Sequence, residues 1–165
     1  MLDGSPGFTN QVFEFLKEKV EKNANPLVVS LIADEMALMS QLTFDGEKYI
    51  GGVNKGEFGL NDDIATDSLV FMVVGVNCHF KLPVGYFLIK NMAAEERANL
   101  VETCLQKLKD CGVLVTSVTF DGPPVNQSLF KKLGGNLNAD ELHTQLRSDS
   151  DINMLFDNVH CIKNV

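Results

Sequence analysis

The chain has 165 residues, 45% hydrophobic and 22% charged, enough for one domain with a substantial core and short for two. Its net charge of −8 speaks against a free-standing nucleic-acid-binding module, because phosphate affinity comes from clustered Lys and Arg. No apolar run approaches the ~20 residues that span a bilayer, and the opening MLDGSPGF has neither the basic nor the apolar region of a signal peptide.

Residues 1–26 are expected to carry a helix packed on the core. Thr9 is its N-cap, Phe8 and Phe13 form a hydrophobic staple, and Val12, Leu16 and Val20 make the apolar face. Leu27 to Met36, LVVSLIADEM, is an apolar run bounded by Pro26 and ending in two acids, Asp34 and Glu35. It reads as a buried strand. Thr43 to Asn54 holds the turn dipeptide Asp45-Gly46 followed by strand material at Tyr49, Ile50 and Val53. Lys55 to Asp67 reads as a loop whose acids Asp62, Asp63 and Asp67 are solvated. Ser68 to Lys90 is strongly β with a polar break at Asn77 to Lys81, a hairpin or one bent strand, and its short connections require antiparallel pairing.

Ala93 to Gly112 is the clearest helix. Val101, Cys104, Leu105, Leu108 and Cys111 form its apolar stripe, Glu95 and Glu96 lie in its first turn, and Gly112 ends it. A second buried strand, Val113 to Phe120, delivers Asp121 at its carboxyl end. Pro123 and Pro124 open a short helix with Val125, Leu129 and Leu133 inward, closed by Gly134-Gly135. Asn138 and Glu141 have capping-box spacing for a helix NADELHTQL, and Ile152 to Val159 is a last strand. This order gives an α/β fold on a mixed sheet flanked by helices, incomplete at its C-terminal side.

Two buried strands that each end in an aspartate suggest one acidic site, and a divalent cation is its natural ligand. Mg²⁺ takes hard oxygen donors and keeps several waters, so a few carboxylates suffice. The bland alternative is a turn or N-cap aspartate, evenly weighted for Asp121, which precedes Gly-Pro-Pro. Glu35 should point away from Asp34 by strand alternation and serve the structure. Asp157 fits a turn, with a supporting place in the acidic site as its second reading. His79 in a turn and His143 on a polar helix read as ordinary surface, His160 has no assigned role, and Met36, Met39 and Met72 read as core. The cysteines Cys78, Cys104, Cys111 and Cys161 have no metal-binding spacing and read as reduced core thiols.

Several stretches, in order, are similar to P-element-type transposases: Ser5-Pro6-Gly7-Phe8, ADEM at Ala33 to Met36, FDGEKYIGGVNKG at Phe44 to Gly56, and ATDSLVFMVVGVNCHFKLPVGYFLI at Ala65 to Ile89. The similarity continues through EERANLVETCLQKLKDCGV (Glu95 to Val113), VTFDG (Val118 to Gly122) and FDNVHCIKNV (Phe156 to Val165). The family includes animal relatives with an N-terminal THAP zinc finger.

This resemblance implies an RNase H-like catalytic core, antiparallel in its first three strands and parallel thereafter, occupying residues 27–165. In such a cut-and-paste DNA transposase Asp34 and Asp121 would be catalytic residues that bind Mg²⁺ or Mn²⁺, with Asp34 bridging two ions. The third acidic ligand would follow a GTP-binding insertion that begins near residue 165, so two of three ligands lie here. DNA as partner, homo-oligomerisation and nuclear residence are implied for the full-length protein, and GTP for a site mostly outside these residues. A domesticated, non-catalytic scaffold with the same fold is the alternative. A receiver-like phosphoacceptor built on Asp34, Glu35 and Lys163 is opposed by the antiparallel character of residues 44–90, since that architecture alternates strand and helix.

Overall fold

The computed structural model describes residues 4–44, 46–47, 49–122 and 124–157. The first helix, α1 (Asn10–Lys22), buries Phe13 and Leu16. Phe8 meets Phe13 edge-on, ring centroids 6.2 Å apart, which is the expected staple. Thr9 holds the N-cap position without a side-chain cap bond. A ten-residue strand β1 (Val28–Ala37) follows. A small ribbon, β2 (Thr43–Phe44) and β3 (Tyr49–Ile50), stands apart from the main sheet. Gly46 of the predicted turn dipeptide has φ +105°, while Asp45 lies outside the described residues.

The chain then forms β4 (Gly52–Asn54), β5 (Leu60–Ile64), β6 (Asp67–Gly75) and β7 (Lys81–Ile89). The two longest of these make a hairpin across the polar break. Helix α2 (Ala94–Asp110) crosses to β8 (Leu114–Phe120), and α3 (Pro124–Lys132) crosses to β9 (Asn153–Phe156). Such helical crossovers are what parallel neighbours require. Among the described residues the main sheet has seven strands in the order β5-β4-β7-β6-β1-β8-β9. Every pair from β5 to β1 is antiparallel, while β1–β8 and β8–β9 are parallel. The mixed sheet flanked by helices is as the sequence predicts, with β1 at the change of direction.

One face of the sheet carries the core. Leu31, Ala33, Phe71, Phe87, Val118 and Phe120 are all buried there, joined by Leu16 of α1, Cys104 and Leu108 of α2, and Leu129 and Phe130 of α3. Phe8 seats on this face between Phe71 and Phe87, centroids 5.3 and 4.9 Å away. The other face presents alternate residues of the same strands, Ser30, Ile32, Asp34 and Met72, all half-buried. Cys104 is fully buried, and burial pushes its thiol pKa well up. Burial also raises that of Cys111, with Asp110 adding to the effect. Both fit the reading of core thiols; Cys78 is exposed, and Cys161 lies outside the described residues.

Four local expectations differ from the structure. Lys55 to Asp67 is not a plain loop, because a 3-10 turn (Gly56–Phe58) and β5 occupy it, and Asp63 pairs with Lys90 at 3.0 Å. NADELHTQL forms only a single 3-10 turn, Ala139–Glu141. It then runs extended, with bridges Asn136↔His143 and Gln145↔Asn153, so His143 is exposed but not helical. A segment of nine residues is too short to hold a helix without tertiary support, and the neighbouring chain offers bridge partners instead. Met36 and Met39 are 58% and 79% exposed rather than core, because Met36 alternates with Glu35 onto the face of β1 away from the helices and Met39 lies beyond the strand. In α3, Asn126 and Phe130 are buried with Leu129, and Val125 is only half-buried.

Candidate functional site

Register brings Asp34 and Asp121 to the same edge of the sheet. In β1 and β8, Ala33 pairs with Phe120, and both point into the core. The next residues are Asp34 and Asp121, so each aspartate directly follows the last ladder pair of the two neighbouring strands. Their alignment depends on an irregularity lower down. Val29 pairs with Val115 but Ser30 with Ser117, so Thr116 is an extra residue in β8. A bulge of this kind shifts every later pair by one. Its reset brings Leu31 opposite Val118 and Ala33 opposite Phe120, two buried apolar pairs. On the other face Ser117 Oγ donates to Ser30 Oγ at 2.9 Å.

Beyond this level the strands part. β1 continues beside β6 to the Ala37↔Asp67 pair, whereas β8 ends at Phe120 and turns through Asp121-Gly122 into α3. The flank of Asp34 that faced β8 is therefore released at the carboxyl end of the sheet. Asp34 is half-buried and its Oδ1 accepts the N–H of Glu35 at 2.9 Å. Asp121 is also half-buried, and its Oδ1 accepts a hydrogen bond from Nδ2 of Asn126. Asp157 occupies the same level one strand further on, since Phe120 pairs with Phe156 and the N–H of Asp157 donates to Phe120 O at 2.7 Å. Among the described residues no group of three His, Cys, Asp or Glu side chains converges on one ion position.

Glu35 points the other way, as alternation predicts. It forms an ion pair with Nη1 of Arg97 on α2. Arg97 is only 6% exposed, and its Nε donates to Met92 O at 3.2 Å. The buried Glu35 Oε1 is held by this charge and by no aligned hydrogen bond. Glu35, Arg97 and Asn126 all line one cavity of about 10 Å³ beneath the acidic edge, walled by Ala33, Phe71 and Phe120. Nearby, Lys55 hydrogen-bonds Glu96 in the first turn of α2 and holds that carboxyl below its ordinary pKa.

Sequence reasoning missed Arg97 and Asn126. A signal was present: Arg97 shares the inward stripe of Val101, Cys104 and Leu108, and Asn126 that of Leu129, Phe130 and Leu133. A polar residue on such a stripe must find a partner when it is buried.

A profile of the TNP-like, RNase H N-terminal domain matches residues 4–134. The chain belongs to that family. The human protein "DNA transposase THAP9" is 29% identical over 170 residues, covering 96% of this chain and 19% of its own length. The chain thus spans about a fifth of that relative. In three dimensions it is similar to the "Drosophila P element transposase strand transfer complex", with a TM-score of 0.67 and 22% identity over 99% of this chain and 34% of the other. The fold is therefore that of a P-element transposase RNase H-like domain, and the resemblance in the sequence holds. No helix among the described residues is long and apolar enough to cross a membrane.

Proposed function

We propose that this chain forms the first part of the catalytic core of a cut-and-paste DNA transposase, with Asp34 and Asp121 as ligands of divalent metal. The positions of Asp34 and Asp121, each directly after the last ladder pair of two adjacent parallel strands, carry the reading. The donor set fits Mg²⁺ or Mn²⁺, which take hard carboxylate oxygens and complete their shells with water and substrate. When bound, a pair of such ions supplies Lewis-acid activation of the attacking water or 3′-hydroxyl and stabilisation of the leaving oxygen.

Asp34 contributes a carboxylate fixed by a strand that is hydrogen-bonded on its β6 side and open on the other. That arrangement keeps one flank free for substrate while the backbone stays rigid. Asp121 contributes its carboxylate from the turn into α3. Residues 27–165 then supply two of three acids, with residues 1–26 packed against them, and the third acid and the GTP-binding residues fall outside this chain. DNA is the partner, oligomerisation belongs to the full-length protein, and the nucleus is where it works.

The test is Mg²⁺-dependent cleavage of transposon-end DNA by the full-length protein. Asp34→Asn and Asp121→Asn should each lower the rate at least about 100-fold, beyond the usual effect of an outer-sphere partner, while leaving the thermal midpoint within a few degrees. Cleavage retained by either variant overturns the assignment. A wild-type protein that binds these ends without cutting them points to the domesticated scaffold instead.

A further inference from the structure

Asp121 lies one residue beyond its strand and is followed by glycine, so its backbone alone fixes the side chain poorly. The terminal torsion of a carboxylate is broad and nearly two-fold. Its orientation must come from a partner, and the structure supplies one of an unusual kind. Asn126 is 5% exposed and sits on the inward stripe of α3, where the helical period calls for an apolar side chain. Instead it presents an amide whose Nδ2 donates to Asp121 Oδ1. A buried amide at a core position is tolerated when it is bonded, and here the bond goes to one of the two strand-end aspartates. The packing of Leu129 and Phe130, both buried, fixes α3 against the sheet and so fixes the amide.

We propose that Asn126 is a positioning residue that sets the rotation of the Asp121 carboxylate. This rests on the reading of Asp121 as a metal ligand. A neutral donor suits the task. It holds one oxygen without bringing a positive charge that would compete with the cation, as Lys or Arg at 126 would. The relation is that of an outer-sphere partner to a ligand, whose loss typically weakens metal affinity by about 10–100-fold.

The experiment titrates Mn²⁺ into the protein and follows the free ion by electron paramagnetic resonance, with thermal midpoints measured separately in metal-free buffer. Asn126→Ala should raise the Mn²⁺ Kd by about 10–100-fold at temperatures where the variant is fully folded. A purely structural amide would lower the midpoint and leave the Kd unchanged, and that outcome overturns the proposal. If Asn126→Ala does not fold, the wild-type side-chain amide resonance of Asn126 is followed by ¹⁵N NMR as Mg²⁺ is added. It should shift in the wild type and not in Asp121→Asn; an unmoved resonance overturns the proposal. Asp34→Asn separates the two readings. Should the wild type show no Mn²⁺ site that this substitution removes, the metal reading fails and the role of Asn126 with it. Should that site exist and Asn126→Ala bind like the wild type, the positioning role alone fails.

Discussion

Asp34 and Glu35 are consecutive carboxylates with opposite fates. Alternation along β1 sends Asp34 to the half-open face and Glu35 under α2, where Arg97 receives it. Their substitutions should therefore separate. Glu35→Ala strands the charge of Arg97, which is only 6% exposed. Breaking a fully buried pair costs ~3–5 kcal/mol; since 25% of the Glu35 side chain reaches solvent, we expect about 2 kcal/mol. Asp34→Ala should cost less than about 1 kcal/mol, because among the described residues no ion pair depends on it. Urea denaturation of the two variants decides the order, and equal losses would contradict it. Adding Arg97→Met to Glu35→Ala should recover part of the loss, because no buried charge is then left unpaired.

At the level of elements, the segment before α1 is what locks the covered face of the sheet. The N–H of Gly7 donates to Tyr86 O at 2.7 Å, and the Tyr86 hydroxyl donates to Gly4 O at 2.6 Å. These bonds seat Phe8 directly over Gly85. A Cβ built on Gly85 would stand 2.5 Å from Phe8 Cδ1 and 2.9 Å from Gly7 O. Gly85→Ala should thus displace the ring and cost ~1–3 kcal/mol, the usual range for overpacking. In a Phe8→Ala background the added penalty should shrink, since the contact is shared. Thermal unfolding of the four proteins measures this coupling, and strict additivity would mean that the ring does not sit where the structure has it.

For the whole molecule, charge and fold pull in different directions. The fold is similar to that of the P element transposase, yet the chain has a net charge of −8, which repels phosphate at long range. We expect the isolated chain to bind duplex DNA more weakly than the ~10⁻⁴–10⁻⁶ M typical of non-specific binders at physiological salt. Fluorescence anisotropy at 150 mM salt tests this, and a sub-micromolar Kd would show that the binding charge is carried here after all.

Local pattern by itself determined the elements whose residues bury a continuous stripe or run. β1, β6, β7, β8 and α2 were legible because hydrophobic period and capping are short-range properties. So was the presence of an aspartate at each of two strand ends. The edge strand β5 was not, since LNDDI has no apolar alternation and becomes a strand only by pairing with β4. Nor was the exposure of Met36 and Met39, which depends on which face of β1 the helices cover and on where the strand ends. Only the tertiary structure decided that the strands leading to Asp34 and Asp121 are neighbours, in register up to the Ala33↔Phe120 pair. A single extra residue at Thr116 sets that register, and register between strands so far apart in sequence is chosen by which side chains pack across the sheet. The partners Arg97 and Asn126 follow from the same cause, because which polar group meets which is fixed only once the helices have been docked on the sheet.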